Sequence, residues 1–462
     1  MLPQGTIEKV LNAAIETGGD FAEIFVEDRT GGSLNMIGGV LEKALSGRDF
    51  GIGIRIMKGD FYVYAYTNDP GEENLIKTAQ AAAQGIRAKK GNRVIDLRKS
   101  MVKNSHVIDI MPDSVARKEK AGWLLRAHEA AKGYDPVIVQ TYISYSDYVQ
   151  NILIANTEGI FAEDVRCRSR LGIEAMAVCG ADKETGRTGP GYFGGLEYMR
   201  QLDIEAYARE AAASAKTMLK AGFAPAGKFP VVIDNGFGGV LFHEACGHGL
   251  EASSVAYKAS VFADKLEEPV ASPLVTAYDD GTLINEWGSL NIDDEGTPTQ
   301  KNLLIEKGIL KGYLIDRLGS RKMGMAPTGS GRRESYCYPP TSRMNNTFIA
   351  AGASTPEEII SNTEYGIYAR NMGGGSVNPA TGDYNFSVSE GYIIRNGKIS
   401  EAVKGAALIG NGMDTLKKID MVGNNLKLEL GMCSARSGTI PTTVGQPMLR
   451  VEELTVGGRK EG

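Results

Sequence analysis

The stretch that decides how this chain is interpreted lies near its middle and reads His243-Glu244-Ala245-Cys246-Gly247-His248. The chain has 462 residues but only four histidines, and two of them bracket this short segment. Neutral imidazoles are good zinc ligands, and a glutamate beside the metal can accept a proton from a zinc-bound water. A single histidine would more often be a hydrogen-bonded core residue. A pair with a glutamate between its members favours a metal site instead.

The spacing of the two histidines predicts a distorted helix. In the familiar H-E-x-x-H zinc pattern the histidines share one helix face, whereas here the second follows one residue later. At about 100° per residue, the two side chains would diverge by about 140° on a regular helix. We therefore expect a helix that runs from about Gly236 and breaks at Gly247, because glycine tolerates the backbone angles that end a helix. The break would turn His248 back towards the metal.

A third protein ligand must come from elsewhere, because two histidines are too few for a zinc site. Cys246 lies on the same short helix, where it would crowd the geometry. Cys167 and Cys179 fall on strand-like stretches and are predicted to be structural thiols. Cys337, in a polar loop-like region, and Cys433, between a predicted strand and a turn, are equal candidates on the residues alone. Acidic ligands also stay open, since the acidic residues are too numerous to sort by spacing.

The segment 243–251 resembles the H-E-x-x-x-H signature of the TldD/PmbA family of metallopeptidases, specifically of its metal-binding TldD branch. Further motifs of that family follow in the expected order through the second half of the chain, with weaker likeness in the first half. These motifs are Asp293-Asp294-Glu295-Gly296-Thr297-Pro298, Thr328-Gly329-Ser330-Gly331-Arg332-Arg333-Glu334-Ser335-Tyr336, Arg343-Met344-Asn345-Asn346-Thr347, Glu390-Gly391-Tyr392, Val444-Gly445-Gln446-Pro447 and Leu454-Thr455-Val456-Gly457-Gly458. Because several unrelated motifs occur in one order, the chain is identified as a member of this family.

The resemblance implies a set of ligands and a mechanism. In the family, zinc is held by the two histidines and one cysteine near the C-terminus, which match His243, His248 and Cys433 here. The glutamate of the motif, here Glu244, then serves as general base and takes a proton from a zinc-bound water that attacks a peptide carbonyl. The residues after the cysteine, 434–438, read Ser-Ala-Arg-Ser-Gly where the family leads us to expect Gly-Lys-x-Gly-Gln. Any substrate contact made by that run is therefore not carried over.

The resemblance also implies substrates and partners. Members of the family accept unfolded peptides or peptide precursors, so the expected activity is zinc-dependent hydrolysis of peptide bonds. We expect a homodimer, or a heterodimer with a metal-free paralogue that lacks the motif. The alternative is a non-catalytic binding or regulatory subunit of a peptidase complex, since the metal-free branch uses the same scaffold without chemistry. Glu244 argues against this alternative, because a structural zinc site needs no adjacent base.

The composition of the chain indicates which binding partners and which cellular compartment to expect. A net charge of −5 gives no electrostatic reason to expect a nucleic-acid-binding surface. Five cysteines without framework spacing are typical of a reducing compartment. The N-terminal residues lack the basic-then-apolar layout of a signal peptide, and no apolar run approaches membrane-spanning length. We therefore expect a cytoplasmic protein that binds neither nucleic acid nor membrane.

The order of predicted elements indicates an α+β fold. Residues 1–220 predict an N-terminal α/β domain with an antiparallel sheet and flanking helices. The small residues and proline of 221–227 predict a linker. Residues 228–462 predict a C-terminal β-rich metallopeptidase domain, which carries the helix with the two histidines. The alternating aromatic residues of 61–66 favour a sheet face over base stacking, because no basic cluster accompanies them.

Four further polar residues are candidates for the site. Arg332 and Arg333 could grip a substrate carboxylate, although a structural ion pair explains them at least as well. His106 and His128 lie far from the motif in sequence, and we do not expect them to take part in catalysis.

Overall fold

A computed structural model describes residues 2–86, 95–100 and 102–458 of the chain. Within these residues, the first half contains four long and four short strands and five helices, with a short 3-10 helix at Pro112–Ser114. Its strands are β1 (Phe21–Ile37), β2 (Val40–Lys58), β3 (Phe61–Thr67), β4 (Arg98–Ser100), β5 (Ile138–Asn156), β6 (Ile160–Cys179), β7 (Asp182–Thr188) and β8 (Gly191–Phe193). Its helices are α1 (Gln4–Ala14), α2 (Glu72–Ala83), α3 (Arg117–Lys132), α4 (Glu197–Gln201) and α5 (Ile204–Leu219).

These eight strands form one sheet with the order β3-β2-β1-β5-β6-β4, and β7 and β8 also pair with β6. The neighbours β3, β2, β1, β5 and β6 are all antiparallel, and the short β4 pairs in parallel with β6. The antiparallel sheet predicted from the alternating sequence is thus confirmed, and residues 61–66 lie in β3 as a sheet face.

The two faces of this sheet pack against different partners. Side chains alternate across a strand, so Ala22, Ile24 and Val26 of β1 lie on one face, where they pack against helices α1 and α2. Glu23 and Phe25 lie on the other face and are also completely buried. Phe25 packs there in a cluster that includes residues 292 and 336. The second face of the sheet is therefore covered by the second half of the chain.

The second half is rich in short strands and carries two further 3-10 helices at Gly236–Gly239 and Gly247–Leu250. Its strands are β9 (Gly222–Phe223), β10 (Gly227–Ile233), β11 (Ala277–Asp280), β12 (Lys301–Glu306), β13 (Ile309–Leu310), β14 (Gly331–Arg332), β15 (Thr341–Ser342), β16 (Asn346–Ile349), β17 (Tyr365–Val377), β18 (Asp383–Arg395), β19 (Lys398–Lys404), β20 (Ala407–Asn411), β21 (Ile419–Val422), β22 (Lys427–Ala435), β23 (Gly438–Gln446) and β24 (Leu449–Gly457). Its helices are α6 (Val240–Ala245), α7 (Ala252–Val255), α8 (Arg317–Met323), α9 (Pro356–Ser361) and α10 (Gly412–Lys417).

Two mixed sheets enclose the core of this half. One has the order β17-β10-β24-β20-β18-β19-β9, with β21 added beside β24. The other has the order β13-β12-β11-β16-β23-β22, so that β22 is an edge strand. A short pair, β14 and β15, stands apart. Helix α6 packs between the sheets, and Phe242 of this helix and Cys433 of β22 belong to the same hydrophobic core.

The architecture confirms the α+β fold expected from the sequence. All eight strands up to residue 193 form the first sheet, and all strands from residue 222 onward belong to the other sheets. The predicted boundary at 221–227 stays a prediction, and residues 222–223 within it form strand β9. Among the residues that the structure describes, no helix is both long and apolar enough to cross a membrane.

Candidate metal centre

The two histidines of the motif are carried by two short helical segments separated by a break. Strand β10 leads into the 3-10 turn 236–239 and then into α6, which ends at Ala245. Cys246 then adopts φ −127° and ψ −48°, and a new 3-10 turn begins at Gly247. The expected interruption of the helix is present, but it falls at Cys246 and not at Gly247. His243 therefore lies on α6 and His248 on the turn that follows.

Gly247 is needed for close packing. A Cβ atom at this position would lie 2.2 Å from the sulfur of Met344, which is completely buried. Its φ is not positive, in contrast to that of Gly236. The glycine thus lets the turn that carries His248 approach Met344 more closely than any other residue would allow. This is a different physical reason from the backbone freedom expected from the sequence.

The third candidate ligand, Cys433, lies on strand β22 close to the end of the hairpin that β22 forms with β23. One nitrogen of His243, one nitrogen of His248 and the Cys433 sulfur all lie within 4.8 Å of one another. The sulfur is 3.2 Å from Nε2 of His248. The structure thus brings together the three side chains expected to bind the metal.

The remaining cysteines lie elsewhere. Cys337 packs beside the cluster formed by Phe25 and its neighbours on the first sheet. Cys167 is buried in β6, and Cys179 is exposed at the end of that strand, so only one of these two predicted structural thiols is buried. Cys246 is completely buried at the break that follows α6, and burial raises the pKa of its thiol. None of these four cysteines belongs to the group of donor atoms formed by His243, His248 and Cys433.

The donor set and its spacing fit a zinc ion. Imidazole nitrogen and thiolate sulfur are both usual zinc ligands, catalytic sites use three protein ligands, and bond lengths of 2.0–2.3 Å place donors about 3.5 Å apart around a tetrahedral ion. The rings of His243 and His248 are nearly perpendicular, at 86°, with their centroids 5.2 Å apart. Two imidazoles that share one ion can adopt such an arrangement. The chemistry of these residues is therefore compatible with the expected cofactor.

Electrostatic interactions prepare Cys433 for binding a cation. Burial alone would raise the pKa of its thiol, but the neighbouring His243 and His248 lower it to about 3. For His248, burial opposes the charged form, yet Glu251 and Cys433 together raise the pKa well above its usual value. Metal ligands must be deprotonated thiolates and neutral imidazoles. The thiolate is thus available in the folded protein, and a bound cation would displace the proton on His248.

Glu251 is a buried carboxylate of the site that the sequence interpretation missed. Its Oε1 lies 3.2 Å from Nδ1 of His248, on the side of the ring opposite to Cys433. Arg343 links the same carboxylate to the cysteine strand, because its Nε lies 3.9 Å from Glu251 and its Nη2 donates to the carbonyl of Cys433. Metal-binding histidines usually direct their second ring nitrogen at such a carboxylate. The spacing of three residues between His248 and Glu251 is the sequence feature that could have predicted this contact.

Glu244, the expected general base, lies on α6 directly after His243. Its Oε2 is 3.7 Å from Nε2 of His248, the ring nitrogen that also faces Cys433. Its side chain keeps 29% of its surface exposed, compared with 13% for His248. A carboxylate beside the ligand group and in contact with solvent is placed where a proton could be taken up and released.

The four other polar candidates lie outside this group. Arg333 donates to the Glu23 carboxylate at 2.6 Å and to the backbone of Asp294, so it forms the structural ion pair that the sequence left as one of two interpretations. His106 is buried, accepts a hydrogen bond from the Asn285 backbone and stacks on Phe193; burial followed by Arg168 lowers its pKa to about 4.

His128 lies 2.7 Å from the hydroxyl of Thr141 in the first half of the chain. Arg332 is buried and donates to the Met344 carbonyl at 2.6 Å. Met344 in turn contacts the turn that carries His248, so Arg332 is one residue removed from the ligand group.

Comparison with known proteins identifies the family. Profiles described as PmbA/TldA metallopeptidase domain 1, central domain and C-terminal domain match residues 22–86, 110–219 and 226–458. A Haemophilus influenzae protein named Metalloprotease TldD homolog is 38% identical over 448 residues, which cover 95% of this chain and 93% of that protein. A Saccharolobus solfataricus protein named Zinc metalloprotease TldD homolog is 31% identical over 52% of this chain and 54% of its own length.

A solved structure supports the fold. It belongs to a Thermotoga maritima protein described as a candidate modulator of a DNA gyrase, and it superimposes with a TM-score of 0.82 at 24% identity. The match covers 98% of this chain and 100% of that one. The three matching profiles and the relatives that align over almost the whole length agree with the motifs in the sequence. This chain belongs to the TldD/PmbA family of metallopeptidases.

Proposed function

We propose that this protein is a zinc-dependent peptidase that hydrolyses peptide bonds in unfolded peptides or peptide precursors. The observation that carries the proposal is the convergence of His243, His248 and Cys433, whose donor atoms lie within 4.8 Å, beside the carboxylate of Glu244. The relatives named metalloproteases, and the one named a zinc metalloprotease, support the same chemistry and the same metal.

Each residue has a separate role in this proposal. His243, His248 and Cys433 would hold the ion, and three protein ligands would leave a fourth position open. Zinc in such a site lowers the pKa of a coordinated water and polarises a carbonyl. Glu244 would accept a proton from the attacking water and later donate it to the leaving amine. Glu251 would hold the ring of His248 in the orientation that directs Nε2 at the metal.

The burial of the ligands favours an extended chain as the substrate. His243 and Cys433 are each 2% exposed, so a folded protein could not bring a peptide bond to them. Activity as a homodimer, or as a heterodimer with a metal-free paralogue, is part of the same proposal and rests on the resemblance to the family.

Zinc content and peptide cleavage, measured together, test this function. We expect about one zinc per chain and hydrolysis of an unstructured peptide by the purified protein. Cys433→Ser should lose the metal and the activity, whereas Cys179→Ser, which changes an exposed cysteine, should keep both. Glu244→Gln should keep zinc and lose activity by about 10²- to 10⁴-fold, as is typical for a general base.

Other results would contradict the proposal. Zinc binding with no hydrolysis of any unfolded peptide, alone or with a purified metal-free paralogue, would indicate a non-catalytic binding subunit. Failure to bind zinc after reconstitution would remove the metal from the site. Full activity in Glu244→Gln would exclude Glu244 as the base.

A further inference from the structure

A cavity of about 680 Å³ lies between the first sheet and the hairpin that carries Cys433. Its wall contains six arginines and three carboxylates, an excess of three positive charges. The arginines come from both halves of the chain and are Arg29, Arg166, Arg168, Arg170, Arg332 and Arg333. A cavity of this size could enclose several residues of a peptide, and its charge indicates an anionic occupant.

Four of these arginines lack a carboxylate partner. Arg166 pairs with Asp294 at 2.6 Å and Arg333 pairs with Glu23. Within the described part of the chain, Arg168, Arg170 and Arg332 form no ion pair, and Arg29 stacks on Tyr148 without one. Of the three carboxylates of the wall, Asp294 is paired with Arg166 and Asp147 with Lys120. Only Glu334, which accepts from the backbone of Thr439, is left against the four arginines. Most of the positive charge of the wall is therefore left uncompensated by the protein itself.

Two of the four unpaired arginines are deeply buried. Arg168 is 2% exposed and donates only to the carbonyls of Trp287 and Ser289 and to a tyrosine hydroxyl. Arg332 is 3% exposed, and its Nε has no hydrogen-bond partner among the described residues. Burial, followed by the proximity of Arg168, lowers the pKa of Arg332 to about 9. A buried guanidinium without an anion is costly, and a carboxylate or phosphate is its best partner.

The cavity adjoins the candidate metal centre through two connections. Met432, which lines the cavity, directly precedes Cys433 on β22, and the two side chains point to opposite faces of the strand. Arg332 donates to the carbonyl of Met344, whose sulfur packs against Gly247 in the turn that carries His248. The cavity and the ligand group thus lie on the two sides of one hairpin.

We propose that this cavity binds a carboxylate of the peptide substrate, either an acidic side chain or the C-terminal carboxylate, through Arg168, Arg170 and Arg332. This proposal deepens the proposed function and rests on it for the identity of the ligand as a peptide. Because β22 is an edge strand, a peptide with its carboxylate in the cavity would pass around this strand to reach the metal. The cavity would then select substrates by charge while the metal centre performs the cleavage.

Binding of three labelled ten-residue peptides to the zinc-loaded Glu244→Gln protein tests the proposal by fluorescence anisotropy. One peptide carries a glutamate and an amidated C-terminus, the second a glutamine and a free C-terminal carboxylate, and the third a glutamine and an amidated C-terminus. We expect at least one of the first two to bind tenfold or more tightly than the third. The peptide that gains affinity identifies the source of the carboxylate.

Three substitutions, each added to the Glu244→Gln protein, locate the effect. Arg332→Met and the half-buried Arg170→Gln should each reduce the preference to less than about threefold without weakening the neutral peptide. Arg187→Gln is the matched control, because Arg187 lies on the same sheet with its side chain 74% exposed. Equal affinity for all three peptides, or a preference that survives both cavity substitutions, would overturn the proposal.

Two further measurements separate the possible failures. If the wild-type protein cleaves no peptide but the charge preference stands and depends on Arg170, the proposed peptidase function fails and the carboxylate site holds. A labelled single-stranded oligonucleotide is the second probe. Binding of that oligonucleotide through the same arginines, with no preference among the peptides, would assign the cavity to nucleic-acid phosphates and overturn the proposal.

Discussion

Nδ1 of His248 lies 3.2 Å from Oε1 of Glu251, and this contact fixes which ring nitrogen faces the ligand group. With Nδ1 directed at the carboxylate, Nε2 is the nitrogen that lies 3.2 Å from the sulfur of Cys433. Glu251 is 3% exposed, so its charge acts on the ring with little screening by water. The carboxylate therefore determines both the orientation and the basicity of one expected metal ligand.

Replacement of Glu251 should weaken zinc binding without removing a ligand. We expect Glu251→Ala to lower zinc affinity by about 10- to 100-fold, the usual effect of losing such a carboxylate. The zinc affinity of Glu251→Gln should lie between those of Glu251→Ala and the wild type, because the amide oxygen of glutamine can still interact with Nδ1 of His248. The measurement is zinc competition against a chelator of known affinity. Glu268→Ala, at an exposed glutamate, serves as the control, and unchanged zinc affinity in folded Glu251→Ala would contradict the role.

The contact between Gly247 and Met344 predicts a coupled pair of substitutions. Gly247→Ala should destabilise the protein by about 1–3 kcal/mol, because the new methyl group would overlap the buried Met344 sulfur. Met344→Ala should cost about 2–5 kcal/mol by leaving a cavity. The double variant should cost less than the sum, since the smaller residue makes room for the added methyl group.

Denaturant unfolding of the four proteins in this cycle gives the coupling energy. Gly122→Ala is the matched control, because nothing lies within 4 Å of a Cβ at that helical position; alanine there should be neutral or stabilising by about 1 kcal/mol. Strict additivity in the cycle would show that Gly247 and Met344 do not constrain each other.

The local geometry of the site could be predicted from the sequence, because it follows from short-range patterns. The five-residue spacing of His243 and His248 excludes a regular helix at the metal, and the structure indeed interrupts the helix between them. The choice between Cys337 and Cys433 could not be made in this way. Cys433 is 185 residues from His248 in the chain, and only the pairing of sheets brings such distant residues together. The resemblance to the family supplied that information.

The side chains that contact the expected metal ligands were harder to predict, because no sequence pattern distinguishes them from other charged residues. Glu251 and Arg343 are ordinary charged residues in a sequence with 107 of them, and only their burial distinguishes them. Strand β1 shows the same limit. Its two glutamates, Glu23 and Glu27, alternate with apolar residues, as is typical of a sheet with one solvent-exposed face. The second half of the chain covers that face, so both sides are buried and the glutamates need partners.

Glu23, Arg55 and Arg333 form a buried ion-pair network between the two halves of the chain, and removing one of its charges should destabilise the protein. The Glu23 carboxylate accepts hydrogen bonds from Arg55 at 2.8 Å and from Arg333 at 2.6 Å. All three side chains are about 1% exposed. Although burial alone would raise it, the two arginines hold the pKa of Glu23 below its usual value. Glu23→Gln would leave two buried guanidinium groups with less compensation, at a cost of about 3–5 kcal/mol.

Urea unfolding of Glu23→Gln measures this cost. Glu73→Gln is the control, because Glu73 forms an exposed pair with Lys77 on a helix surface, and a surface change of this kind stays within about 0.5 kcal/mol. A loss of similar size in both variants would mean that the buried network contributes no more than an exposed ion pair.

Asp316 should make the stability of the protein depend on pH. Burial, together with the nearby Glu295 carboxylate, raises the pKa of Asp316 from 3.8 to about 7. Between about pH 4 and pH 7 the folded state therefore binds more protons at this residue than the unfolded state. Stability must fall as pH rises through this window, because ionisation is easier in the unfolded chain.

Asp316→Asn isolates this contribution while preserving the local structure. The side chain of Asp316 accepts a hydrogen bond from the backbone of Gly319 at 2.9 Å at the start of α8, and the amide oxygen of asparagine can do the same. The free energy of unfolding of the variant should increase relative to that of the wild type from pH 4 to pH 8, by on the order of a few kcal/mol. Chemical denaturation at a series of pH values checks this, with Asp69→Asn at an exposed loop position as the control. A difference that stays constant would show that folding leaves the pKa of Asp316 unshifted. A difference that favours the wild type more as pH rises would show that Arg55 lowers the pKa despite the burial of Asp316.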